Sequence, residues 1–192
     1  MEETSNLDLI EKAIWEALTD SALQNNGKFR YLHLASVNAA NEAESRVVVL
    51  RDVATHQHLL SFHTDYRSDK VKQIKSNPFV SLSVYDQKSR IQLRVKGKTE
   101  VFHKNHHTAA ILEQLSLEAK KTYGLTLTEG ALESKDLQLK ATYQPETVEE
   151  NFVVLQFSVT ELKYLLLGAA YHTAAVFTYN EGKLVSKKWV MP

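Results

Sequence analysis

Apolar positions along the chain repeat with two periods, and each change of period marks a new element. Leu7, Ile10, Ile14 and Leu18 recur three or four apart with Trp15 beside them, which predicts an amphipathic helix over about 7–23. Asn25, Asn26 and Gly27 end it. The period then falls to two. YLHLASV from Tyr31, RVVVLR from Arg46 and LLSFH from Leu59 each predict a strand. The DVATHQH link is too short for a helical crossover, so the last two are expected as an antiparallel hairpin.

After Thr64 and Asp65 the period lengthens again. Val71 and Ile74 are the apolar positions of a short helix, with Asp65 or Ser68 expected to cap its free N–H groups and Asn77-Pro78 to stop it. Phe79 to Tyr85 alternates as a further strand. In the next one, Ile91, Leu93 and Val95 share one face while Gln92, Arg94 and Lys96 share the other. That second face meets solvent, a ligand or a partner chain, because Arg and Lys are rarely buried unpaired. Gly97 marks a bend or bulge before the strand continues to Phe102.

Ala109, Leu112, Leu115 and Ala119 predict the longest helix, over 104–120, and the YGLTLTEGALESKDLQLK stretch reads as irregular with a short helical part. Val153, Leu155, Phe157 and Val159 point one way in a strong strand, and a final hairpin turns at 180–182. Six to eight strands with two or three helices make the fold mainly β, a β-barrel with peripheral helices. Closure would remove exposed sheet edges. A single domain over 1–192 is expected, with the N-terminal helix at about 7–23 and C-terminal strands at about 152–190.

Composition narrows the function. Among 192 residues, 43% hydrophobic, Lys plus Arg and Asp plus Glu are both 23, so no global charge draws the chain to nucleic acid or a membrane. The absence of cysteine excludes disulfides, thiolate nucleophiles and cysteine-held metals. The first residues are acidic, unlike a secretory leader, and the longest apolar stretch, YLLLGAAYHTAAVF, is short of the ~20 residues of a membrane span. A cytoplasmic protein is expected.

Positive charge converges in one place. Arg46, Arg67 and Lys70, the Ser68 hydroxyl and the N–H groups of the helix opening near Asp65 suit a phosphate monoester, with Asp69 working against it. A plain solvated helix start is the alternative. Gln92 both donates and accepts hydrogen bonds, which suits the polar edge of a flat ligand. Arg94 is left open between a ligand and an acidic partner. His56, His58, His103, His106 and His107 read as surface side chains rather than a metal site, since adjacent histidines on a helix face different ways.

Arg46 in RVVVLR, the F-x-T-D-x-R-S-x-K segment from Phe62 to Lys70, Asn77-Pro78 and QLRVKG from Gln92 to Gly97 follow one another as in a known family. Over roughly residues 30–102 the chain resembles the pyridoxamine 5'-phosphate oxidase family, whose fold is the FMN-binding split barrel. The resemblance implies a homodimer that holds FMN between subunits and oxidises a small-molecule substrate. Arg46, Ser68 and Lys70 would contact the FMN phosphate, with Arg67 supplying charge where the family's Ser-Arg-Lys segment here reads Ser68-Asp69-Lys70. His63 and Thr64 would approach the flavin ring and Gln92 would bond to it. His172 stands near the family's Arg-Leu-His substrate segment, although the substrate-binding arginine has no match, and the tail reads KKWVMP. The leading expectation is an FMN-binding oxidoreductase whose substrate need not be a B6 vitamer. The alternatives are a non-catalytic flavin-binding or storage protein, and a haem-binding relative with His63 or His172 as ligand.

Overall fold

The computed structural model describes residues 2–127 and 141–192. Its elements are α1 (Glu2–Leu23), β1 (Tyr31–Val37), β2 (Ala43–Ala54), β3 (Leu59–Asp65), α2 (Asp69–Ser76), β4 (Phe79–Asp86), β5 (Ile91–His103), α3 (His106–Gln114), α4 (Leu117–Gly124), β6 (Leu125–Leu127), β7 (Ala141–Tyr143), α5 (Val148–Asn151), β8 (Phe152–Leu167), β9 (His172–Asn180) and β10 (Lys183–Val190). The main sheet runs β10-β9-β8-β3-β2-β1-β4-β5, and a further pairing of β5 with β8 closes six of these strands into a barrel.

The barrel splits along β8. On one side this 16-residue strand pairs with β5 almost throughout; on the other it pairs with β3 through Phe152–Ser158 and then with β9 through Glu161–Leu167. The period-two pattern fills the interior: Leu32, Leu34, Leu50, Phe62, Leu82, Leu93, Val95, Leu155 and Phe157 are buried. The β5–β8 register shifts between Lys96 and Gly97, where the sequence places a bulge. A Cβ on Gly97 would stand 2.1 Å from the Ser158 carbonyl oxygen, so only glycine allows the strands to approach this closely.

α1 is held to the barrel by a closed polar cluster. Trp15 Nε1 donates to the Tyr179 hydroxyl at 3.0 Å, which donates to Glu11 Oε1 at 3.1 Å. The His58 ring packs on Tyr179 and Trp15, with Nε2 at 3.4 Å from Glu11 and Nδ1 at 2.7 Å from the Gly182 carbonyl. His58 is therefore not the surface histidine expected from its turn; the turn itself is folded against α1.

Three further expectations need correction. The helix over 104–120 is two helices, because Leu115 adopts an extended conformation and the Ser116 side chain accepts from Ala119 N to start α4; the longest helix is α1. Ser68 does occupy the N-cap of α2, but neither it nor Asp65 caps the helix through its side chain. Ser68 Oγ donates to the Asp65 carbonyl, and Asp65 Oδ1 accepts from Arg67 N. The irregular stretch expected near 123–140 lies mostly outside the described residues. Among those described, five α-helices exceed the two or three expected.

Candidate functional site

The basic corner forms where β1, β2 and β3 end beneath α2. Alternation turns Arg46, Ser36 and Thr64 to the same side as the core residues of their strands, but at the end of the barrel, where α2 brings Gln73 and Lys70 to meet them. Arg46 Nη2 donates to Gln73 Oε1 at 3.1 Å and to Glu44 Oε2 at 2.9 Å, and its Nη1 bonds Ser36 Oγ. Ser36 in turn donates to Gln73 Oε1 at 2.5 Å. Hydrogen bonding with Gln73, then with Asn38, holds the Glu44 carboxyl below the usual carboxylate range, and Arg46 adds to the effect.

Lys70 is the unbalanced member. Its Nζ donates to Thr64 Oγ1 at 3.1 Å, a neutral partner. Burial lowers its pKa first and the charge of Arg46 second, against the opposing pull of Asp65 and Asp69. Two cations therefore face one region, and among the described residues only Glu44 forms an ion pair with either, holding Arg46 while Asp65 and Asp69 act on Lys70 without bonding to it. An anion placed there would relieve their repulsion. Ser68 at the start of α2 adds a hydroxyl and the first-turn N–H groups with the favourable end of the helix dipole. The charge, donors and half-buried setting fit a phosphate monoester.

The other expected residues divide. Asp69 is exposed and pairs with Lys72 at 3.1 Å. Arg67 is held by Asp65 at 2.6 Å and donates to the Leu125 carbonyl at 3.1 Å, away from Arg46. His63, next to Thr64, points to the opposite side of β3, into a cleft of about 590 Å³ between the outer sheet face and α3. Its ring packs edge-on against Phe152 at 5.1 Å. Burial above all, then Arg51 and His107, lowers its pKa to about 4, so it is neutral at neutral pH. Gln92 lies elsewhere, in a groove with Arg94, Lys163 and the C-terminal Met191 and Pro192. β5 is three strands from β2 across β1 and β4, about 14 Å at ordinary strand spacing. His172 begins β9, exposed, and lines neither the cleft nor the Gln92 groove.

Arg51 was missed by the sequence reading. The β2–β3 register shifts between Leu50 and Asp52, and this bulge leaves Arg51 without a cross-strand partner and lining the cleft. The second basic end of RVVVLR was the signal. The partners of Arg46, namely Ser36, Glu44 and Gln73, were also missed.

Residues 12–103, just under half of the chain, match the family model of the pyridoxamine 5'-phosphate oxidase FMN-binding domain. Over these residues the chain is similar to the pyridoxamine 5'-phosphate oxidase family. Pyridoxine/pyridoxamine 5'-phosphate oxidase 2 of Arabidopsis thaliana is 27% identical over 105 residues, 53% of this chain and 53% of the relative. The pyridoxine/pyridoxamine 5'-phosphate oxidase of Rhodopirellula baltica is 29% identical over 119 residues, 59% of this chain and 52% of the relative. The chain thus spans about half the length of the curated relatives it matches.

The split barrel of the family recurs in solved structures. A pyridoxamine 5'-phosphate oxidase-related, FMN-binding protein of Nostoc punctiforme superposes with a TM-score of 0.76 at 23% identity, over 94% of this chain and 96% of its own. PhzG of Burkholderia lata, solved with tetrahydrophenazine-1-carboxylic acid, superposes with a TM-score of 0.67 at 14% identity, over 96% of this chain and 92% of its own. At these identities the likeness establishes the fold. Among the described residues, no helix is long and apolar enough to cross a membrane.

Proposed function

We propose that this protein is an FMN-dependent oxidoreductase acting on a small molecule. The observation that carries the reading is the pairing of Lys70 with Arg46 in one half-buried corner, where, among the described residues, the ammonium of Lys70 bonds only to a hydroxyl. Lys70, Arg46, Ser68 and the start of α2 would hold the phosphate, and Thr64 would position the lysine. The match of residues 12–103 to an FMN-binding domain model supports the choice of FMN over another phosphate ester. When bound, FMN supplies the capacity to accept a hydride or single electrons, which no side chain of this protein provides. The protein's own part is to orient the cofactor through β3, since consecutive residues Thr64 and His63 face the corner and the cleft respectively. The α3 wall shields the cleft from water on one side, and His63 stays neutral beside it.

A second copy of the chain is part of this reading. Gln92 and its groove are separated from the Arg46–Lys70 corner within one chain, so a site that uses both is assembled across two. The outer face of β2-β1-β4 also exposes Tyr31, Val47, Phe79 and Tyr85, each at about half exposure or more. Apolar side chains clustered on one sheet face suit association with a copy of the same surface.

The test is retention of flavin. Protein saturated with FMN and freed of excess is expected to keep the flavin absorbance near one per chain, with Lys70→Ala weakening binding about 10- to 100-fold, the range for a hydrogen bond to a charged group. Substrate-dependent bleaching under anaerobic conditions then separates an oxidoreductase from a flavin carrier. Failure of the wild-type protein to retain FMN would sink the proposal.

A further inference from the structure

The cleft behind His63 differs in kind from the basic corner. Its volume of about 590 Å³ is that of a small-molecule site. Strand register sets Asp52, Ser61 and Gln156 in one row across β2, β3 and β8, so their side chains share the cleft floor. On α3, His107, Ile111 and Gln114 recur at helical spacing and form the facing wall. A flat sheet opposite one helix face makes a slot.

The charges in this slot nearly cancel. Arg51 stands beside Asp52 in the chain, and both line the cleft. His63 contributes no charge at neutral pH, and among the described residues neither of its ring nitrogens has a recorded hydrogen bond. Gln57, Gln114 and Gln156 are carboxamides, which donate and accept equally. A phosphomonoester dianion needs convergent positive charge, which the Arg46–Lys70 corner has and this cleft lacks. An uncharged ring would be matched on both counts, with the amides and imidazoles available to its edge and the apolar side chains of Leu59 and Ile111 to its faces.

We propose that the cleft binds an uncharged, planar heterocycle bearing hydrogen-bond donors and acceptors, in preference to the phosphorylated form of the same ring, and that such compounds are the substrate class. The substrate role rests on the flavin site proposed above, because β3 links that corner to the cleft through Thr64 and His63. The binding preference stands on the cleft alone.

Pyridoxine and pyridoxine 5'-phosphate differ in the phosphate and serve as the probe pair in calorimetric titrations, with the protein FMN-loaded and again without FMN. Pyridoxine is expected to bind at least as tightly as its phosphate. Ile111→Trp, which fills the slot, is expected to weaken pyridoxine at least tenfold while leaving FMN retention unchanged. The exposed Gln114→Lys is expected to raise affinity for the phosphate several-fold with little change for pyridoxine, and needs no core rearrangement. Tighter binding of the phosphate to the wild type, no pyridoxine binding, or pyridoxine binding unaffected by Ile111→Trp would each overturn the proposal. Loss of FMN retention with the preference intact would overturn the flavin reading instead.

Discussion

The cluster that docks α1 and the corner beneath α2 are both polar and both at least partly buried, yet their hydrogen bonding is arranged to opposite ends. Trp15, Tyr179, Glu11 and His58 satisfy one another: each donor finds an acceptor, and Trp15 is 1% exposed. In the corner, Arg46 has internal acceptors but Lys70 faces a hydroxyl and another cation. A closed network stabilises the fold, whereas an electrostatically incomplete one is stabilised by what binds to it.

The largest effect should come from opening the closed cluster. Trp15→Ala removes a fully buried aromatic and leaves the Tyr179 hydroxyl without its donor, for an expected loss of about 3–5 kcal/mol. Urea denaturation of the two proteins measures it. A loss below about 1 kcal/mol would mean that α1 contributes little to barrel stability, and the contrast between the regions would collapse.

His63 belongs to neither cluster and gives the next largest effect, through pH. The unfolded chain protonates this residue near its ordinary 6.5, while the folded protein resists until about 4. Between those values the unfolded state carries more protons, so acidification favours unfolding. From pH 8 to pH 5 the residue should remove about 2 kcal/mol of stability. His63→Gln should flatten that part of the profile; an unchanged slope would show that the imidazole protonates freely in the cleft.

The strand pattern made most of the barrel legible, because the barrel core takes one face of each strand, as with Leu93 and Val95 on β5 and Val153, Leu155 and Phe157 on β8, even though Phe152 and Val154 are buried on the other face of β8. The break at Leu115–Ser116 was not legible, since Leu112, Leu115 and Ala119 keep helical spacing across it. Arg46 and Lys70 were identifiable from their motif. Their relation was not: Gln73 and Ser36 reach Arg46 from 27 and 10 residues away. Arg51 escaped notice because a bulge is a mismatch between two strands, which alternation within one strand does not record.

Lys70→Met sharpens the comparison further. In the absence of FMN it should change stability by no more than about 1 kcal/mol and in the stabilising direction, because it removes a half-buried cation that its surroundings disfavour. The same change should sharply weaken FMN. Denaturation of the FMN-free variant reads the first effect. Destabilisation well beyond that figure would make Lys70 a structural member of its network, like Trp15.

Arg67→Ala should have the smallest effect. The side chain is half exposed and bound to Asp65, an arrangement typically worth about 0–1 kcal/mol once solvent screening is counted. Its guanidinium is directed to Asp65 and the Leu125 carbonyl rather than to Arg46 or Lys70. FMN affinity is therefore expected to fall less than about threefold, far less than for Lys70→Ala, which makes the pair a measure of how local the basic corner is. A tenfold loss on Arg67→Ala would mean that ligand binding draws Arg67 off Asp65 to supply the charge that Asp69 does not. The boundary of the corner would then extend across the Tyr66–Ser68 turn, and its incompleteness in the ligand-free protein would be greater than Lys70 alone accounts for.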